Sequence, residues 1–191
     1  MSTTESIRPG EGLEPRAVNG PPPGTHVAWS RQADTLNPAL LDGFNTHQHD
    51  AGIKRTHLFN GRYENIYLTA QQVPAIQALL DEASDYARRI LGVDGLQAGC
   101  WFNHMPPGAV TTVHSHDDHD ELLSTVYYVS VPRNSGSLII HDHDTRHEIT
   151  PEEGKFVFFS PDVVHEVSEN KSNGDRLSIG INFGRGGNDR G

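Results

Sequence analysis

Residues 122–160, LLSTVYYVSVPRNSGSLIIHDHDTRHEITPEEGKFVFFS, decide the fold. Short runs rich in Val, Ile, Tyr, Phe and Thr alternate with turn clusters, PRNSG at 132–136 and PEEG at 151–154. β-Branched and aromatic side chains suit a pleated, half-buried surface, while Pro, Gly, Asn and Ser supply the dihedrals of tight turns. The pattern continues both ways. Upstream lie AGCWFNHM from Ala98 and VTTVHSH from Val110, parted by PPG at 106–108. Downstream lie HEVSE from His165 and RLSIGINF from Arg176, parted by KSNGD at 171–175. With LLSTVYYVSV, SLIIHD, RHEIT and GKFVFFS, these runs predict eight strands across residues 97–184. Strands at this spacing indicate a sandwich or barrel, not alternating βα units.

The N-terminal part reads differently. Ile76, Leu79, Leu80, Ala83, Ala87, Ile90 and Leu91 recur at helical spacing between Pro74 and Gly92. That predicts an amphipathic helix over 73–91, packed on a sheet and stopped by the glycine. YENIYL (63–68) reads as a short strand. Residues 1–25, rich in Pro and Gly, are expected to be a flexible arm or an extended strap. Residues 26–96 should form an α/β decoration of the core, and 185–191 a tail.

Composition narrows the chemistry. The length of 191 residues fits one domain with a core of its own. A single cysteine, Cys100, rules out an internal disulfide framework and fits a reducing cytoplasm. It is expected to be a small core residue and not a nucleophile. Neither a membrane span nor a secretory signal is expected. A formal net charge of −10 disfavours nucleic acid as a partner, because such a surface repels phosphates. Twelve histidines hint at metal chemistry, though most are expected to be surface residues.

The segment TTVHSHDDHDE, 111–121, concentrates that hint. On a strand, alternate residues share a face, so His114, His116 and Asp118 point together if the strand persists that far. Imidazole and carboxylate suit a borderline divalent ion. His165 follows the apolar strand GKFVFFS and the Ser160–Pro161 turn, well placed to add a ligand from a distant strand. Arg176, Ser178, Gly180 and Asn182 share one strand face, opposite Leu177, Ile179, Ile181 and Phe183. An Arg and a Ser two apart can grip a carboxylate through a guanidinium fork and a hydroxyl. A second pair, His141 and His143, is expected to be a solvated strand end.

His/Asp ligands on one strand, a distant histidine, then Arg-x-Ser resemble the Fe(II)/2-oxoglutarate-dependent oxygenases. The match is nearest to a small group of 2OG-Fe(II) oxygenases. Here it runs through WFNHMPPG, HSH, LLSTVYYVSVP, NSGSLII, GKFVFFSP, His165 and RLSIGINF, about residues 100–184. The resemblance implies a double-stranded β-helix (jelly-roll, cupin-like) fold with the N-terminal helix packed on it. It implies Fe(II) held by His165 and two of His114, His116 and Asp118. Counting forward from Gly108 selects His114 and His116; counting back from Ser124 selects His116 and Asp118. It implies 2-oxoglutarate held by Arg176 and Ser178, with Tyr128 and Asn103 contributing. Expected partners are dioxygen and a small molecule, amino acid or peptide, with hydroxylation the default outcome and halogenation a variant; a homodimer is compatible.

The cupins are the rival resemblance. Gly108, His114, His116 and Glu121 fit their first motif, and Gly154 with His165 fit the second loosely. A metal-dependent cupin dioxygenase, isomerase or lyase, or a non-catalytic binding protein, would then be expected. The Arg176-x-Ser178 pair has no role in that scheme.

Overall fold

Strand-face alternation builds the molecule. The computed structural model describes residues 16–116 and 120–185. Its elements in chain order are β1 (Arg16–Asn19), β2 (His26–Trp29), α1 (Ala33–His47), β3 (Lys54–Phe59), β4 (Arg62–Tyr67), α2 (Ala75–Leu91) and β5 (Leu96–Met105). There follow β6 (Thr111–His114), β7 (Glu121–Ser130), β8 (Leu138–Asp142), β9 (Thr145–Ile149), β10 (Lys155–Phe159), β11 (His165–Val167) and β12 (Arg176–Arg185). A major sheet has the order β2-β10-β7-β12-β5-β4-β3, and a minor sheet the order β1-β9-β8-β11-β6. This is the mainly β, jelly-roll architecture.

Each long strand of the major sheet divides its residues between two environments. Leu177, Ile179, Ile181 and Phe183 of β12 join Tyr127 of β7 and Phe156 and Phe158 of β10 in one core. Leu36, Leu40 and Phe44 of α1 and Ile76, Leu79, Ala83 and Ala87 of α2 complete it. The opposite faces of β7 and β10 place Tyr128, Val157 and Phe159 against Leu138, Ile140 and Ile149 of the minor sheet. A fully buried aliphatic or aromatic side chain contributes about 1.5–3 kcal/mol, so packing, not capping, holds the helices. Neither Gln32 before α1 nor Pro74 before α2 makes a side-chain cap bond.

Buried polar groups tie the helices to the sheet. The Tyr127 hydroxyl donates to Asn37 Oδ1 of α1 at 2.6 Å. Glu82 of α2 is 3% exposed and accepts from Ser30 Oγ at 2.6 Å and from the Arg31 N–H at 2.9 Å. No helix among the described residues is long and apolar enough to cross a membrane.

One expectation is decided and two change. Of the two alternatives for residues 1–25, residues 16–19 take the extended strap and not the flexible arm: β1 pairs in parallel with β9, Arg16 opposite Thr145, at the open edge of the minor sheet. Residues 1–15 lie outside the described set. Helix α1 was not foreseen, since Pro38 lies inside it and Gly43 interrupts its apolar stripe. A Cβ at Gly43 would stand 2.5 Å from Val73 Cγ1, so the glycine permits close approach of α1 to the chain entering α2. Finally, β6 stops at His114, so strand alternation does not carry to His116.

Candidate metal centre

His114 ends β6, an edge strand, and stands opposite His165 on β11. His165 also pairs with Ile140 of β8, which holds it between two strands. His116 lies two residues past the end of β6. Its backbone N–H donates to Pro161 O at 2.8 Å, which turns the chain back toward the 160–165 loop. The three rings converge, with centroids 4.3 Å apart for His114–His165, 5.0 Å for His114–His116 and 5.1 Å for His116–His165. One nitrogen of each lies within 4.8 Å of the others.

Two backbone carbonyls set the rings. His165 Nδ1 is 2.9 Å from Val163 O, and His114 Nδ1 is 2.6 Å from Thr112 O. A carbonyl accepts only, so Nδ1 carries the proton and Nε2 keeps its lone pair for an ion. Burial, reinforced by the facing His114, pushes His165 down to about 3, so its imidazole is neutral near pH 7. Donors about 2.1 Å from an ion and at right angles stand about 3 Å apart, within reach of small ring rotations here. A neutral His165 converging with His114 and His116 fits a borderline divalent cation such as Fe(II). Asp118 lies outside the described residues.

The ring cluster opens into a cavity of about 960 Å³ between the sheets. Asn103, Ser178 and Tyr128 form one row across β5, β12 and β7, since Ser178 pairs with both others. Asn103 and Ser178 line the cavity; Tyr128 is fully buried. Arg176, on the same face of β12 as Ser178, is also fully buried. Its Nη1 donates to Gly136 O at 2.9 Å and Ser135 O at 3.4 Å, and its guanidinium carbon sits 5.2 Å from the Tyr128 ring centre. Its Nε and Nη2, the Tyr128 hydroxyl and Asn103 Oδ1 have no well-aligned hydrogen-bond partner among the described residues. Burial raises the Tyr128 phenol, opposed by the Arg176 charge, and lowers the guanidinium. A buried cation without a carboxylate partner is costly. An anionic ligand presenting two oxygens would satisfy the open half of the fork, which is the fit expected for the carboxylate of 2-oxoglutarate.

Three features escaped the reading of the sequence. Glu64 of β4 lines the cavity and is 4% exposed; its only signal was an acid inside the strand-like run YENIYL. Trp101 lies 5.3 Å from His116 and 6.4 Å from Tyr67, ring to ring, forming an aromatic wall. Gly180 permits that wall: a Cβ there would meet the indole Cζ2 at 2.4 Å. Gly180→Ala should therefore displace Trp101, cost about 1–3 kcal/mol by overpacking and alter tryptophan emission. An unchanged unfolding midpoint and spectrum would show that the indole does not lie over β12.

Other residues take quieter roles. His141 Nε2 is 3.1 Å from Glu166 Oε1, and the His143 side chain is 95% exposed, so that pair does not converge. Cys100 packs beside the main core, and burial pushes its thiol up to about 11. Glu121 lines the cavity without joining the histidine cluster.

Residues 100–184 match the 2OG-Fe(II) oxygenase superfamily. The fold is similar to a Pseudomonas putida prolyl-4-hydroxylase (21% identity, 86% of this chain and 89% of that one, TM-score 0.60). It is also similar to a Trichoplax adhaerens prolyl hydroxylase in complex with a hypoxia inducible factor oxygen degradation domain peptide (16% identity, 84% and 83% covered, TM-score 0.67). A non-heme alpha ketoglutarate dependent carbocyclase from nogalamycin biosynthesis is a third (16% identity, 85% and 79% covered, TM-score 0.66). No curated protein matches in sequence.

Proposed function

Residues 100–184 make this chain a member of the 2OG-Fe(II) oxygenase superfamily, enzymes that use Fe(II) and 2-oxoglutarate, and from that premise we propose that it hydroxylates a small molecule, amino acid or peptide. In this reading His114, His116 and His165 hold the iron, and Arg176 with Ser178 holds the distal carboxylate of 2-oxoglutarate. One observation carries it: three converging histidines open into a cavity backed by a fully buried arginine that has no carboxylate partner among the described residues. The iron and its co-substrate supply the oxidising chemistry, consuming dioxygen and releasing succinate and carbon dioxide.

The chain's own residues bind and orient. The Thr112 and Val163 carbonyls keep the His114 and His165 protons on Nδ1, so no proton competes with the metal at Nε2. Arg176 offers Nε and Nη2 as a two-pronged donor, and Tyr128 can add its hydroxyl to the same carboxylate. The buried surroundings of this pair keep water from screening the charge. Substrate would lie in the outer cavity against Trp101 and Tyr67. Since one fold neighbour is seen with a peptide, peptides belong in the first screen beside amino acids and small metabolites.

Anaerobic addition of Fe(II) and then 2-oxoglutarate should develop a weak visible charge-transfer band. Succinate release should rise in air with the right substrate. Metal binding without the band or any 2-oxoglutarate affinity would favour a cupin-type enzyme and end this reading.

A further inference from the structure

We propose that Glu64 is a positioning residue for the metal centre: it braces Thr112, and through it His114, from the opposite sheet. The inference rests on the reading of His114 as a metal ligand.

The brace answers a mechanical problem. β6 carries His114 but has only four residues and lies at the edge of the minor sheet, with β11 its only strand partner among the described residues. A short edge strand leaves backbone donors unpaired and frays easily. Glu64 projects from β4 of the major sheet and takes one of those donors: its Oε1 accepts the Thr112 N–H at 3.0 Å. Its Oε2 accepts the Thr112 hydroxyl at 2.9 Å. The two bonds fix both the backbone and the side chain of Thr112. The carbonyl of that same residue accepts the His114 Nδ1–H at 2.6 Å. The chain of contacts therefore runs from carboxylate to threonine to imidazole.

Arg62, two residues earlier on β4, strengthens the brace. It donates to His104 O at 3.0 Å and to Val110 O, spanning the β5–β6 connection, and its Nη2 lies 3.3 Å from Glu64 Oε1. A carboxylate that is 4% exposed and holds two charge-assisted hydrogen bonds is a stiff support. Outer partners that orient metal-binding histidines typically change metal affinity about 10–100-fold when removed.

The arrangement distinguishes reach from charge, and the test uses that. Glu64→Gln keeps the length, and its amide can still accept from the Thr112 N–H. Glu64→Asp keeps the charge beside Arg62 but withdraws the carboxylate by one methylene, out of reach of Thr112. Co(II) affinity is measured by anaerobic titration of the full chain. In the metal-free protein, the His114 Nδ1–H proton is followed by NMR. Glu64→Gln should stay within about threefold of wild type and keep the slowly exchanging Nδ1–H signal. Glu64→Asp and Glu64→Ala should bind Co(II) about 10–100-fold more weakly and lose that signal. Should Glu64→Ala fail to fold, the order of the Gln and Asp variants decides. An Asp variant that equals or exceeds the Gln variant shows that Glu64 serves only the charge of Arg62, and overturns the proposal. So do variants all within twofold of wild type. Wild type failing to bind Co(II), like a His114→Ala control, would instead bring down the metal reading and this inference with it.

Discussion

His165→Ala should bind Co(II) or Fe(II) at least about a hundredfold more weakly than wild type and release no measurable succinate. Four-ligand structural zinc sites are worth about 10–16 kcal/mol, or about 2.5–4 kcal/mol per ligand, equivalent to about 10²–10³ in affinity. Iron binds the same donors less tightly than zinc, which places the loss nearer the lower figure. The effect should be largest at this histidine because it is 5% exposed and held between β6 and β8. His116→Ala should follow His165→Ala, since His116 belongs to the converging cluster; Asp118→Ala, measured beside it, compares the carboxylate that lies outside the described residues. Anaerobic titration with circular dichroism as a folding control makes the comparison. Affinity within tenfold of wild type for a folded His165→Ala would remove this residue from the ligand set. A large loss in Asp118→Ala with none in His116→Ala would restore the carboxylate to it.

Arg176→Met makes a prediction with two opposite signs. Affinity for 2-oxoglutarate should fall about 10²–10³-fold, because a buried charge pair is worth about 3–5 kcal/mol when one partner is removed. Yet without 2-oxoglutarate the variant should be no less stable than wild type. Methionine fills similar space, and its loss of two hydrogen bonds to the 135–136 carbonyls is offset by removal of a fully buried cation with no carboxylate partner among the described residues. Thermal unfolding with and without 2-oxoglutarate reads both quantities, since a ligand that binds only the folded state raises its midpoint. Arg176→Lys should fall between, keeping the charge but not the fork. A 2-oxoglutarate-induced shift that survives in Arg176→Met would place the carboxylate elsewhere.

The parts of the molecule that were legible in the sequence are those encoded by local periodicity. All eight core strands lie where alternation and turn residues put them, and α2 follows the 3.6-residue stripe ending at Gly92. The face of β12 could be divided by inspection: Leu177, Ile179, Ile181 and Phe183 go to the helix-side core, and Ser178, Gly180 and Asn182 to the cavity. What was not legible depends on distant partners. Pro38 and Gly43 disguise α1 because their tolerance is decided by what packs on the helix. Glu64 is separated from Thr112 by 48 positions, and no period links them. His116 reaches the cluster through a backbone bond to Pro161, a contact that strand parity cannot anticipate.

The two N-terminal strands carry a last consequence, for assembly in time. β1 waits for β9, with Arg16 against Thr145, and β2 waits for β10, with His26 against Phe158. On a ribosome, β1 and β2 emerge well before β9 and β10 can pair with them. Long sequence separation between contacts slows folding, and unpaired strand edges invite association with other chains meanwhile. The segment shared with the superfamily is thus sealed on both sheets by residues outside it. Closure of both sheets is therefore a late event in the folding of this domain, because it joins strands far apart in sequence.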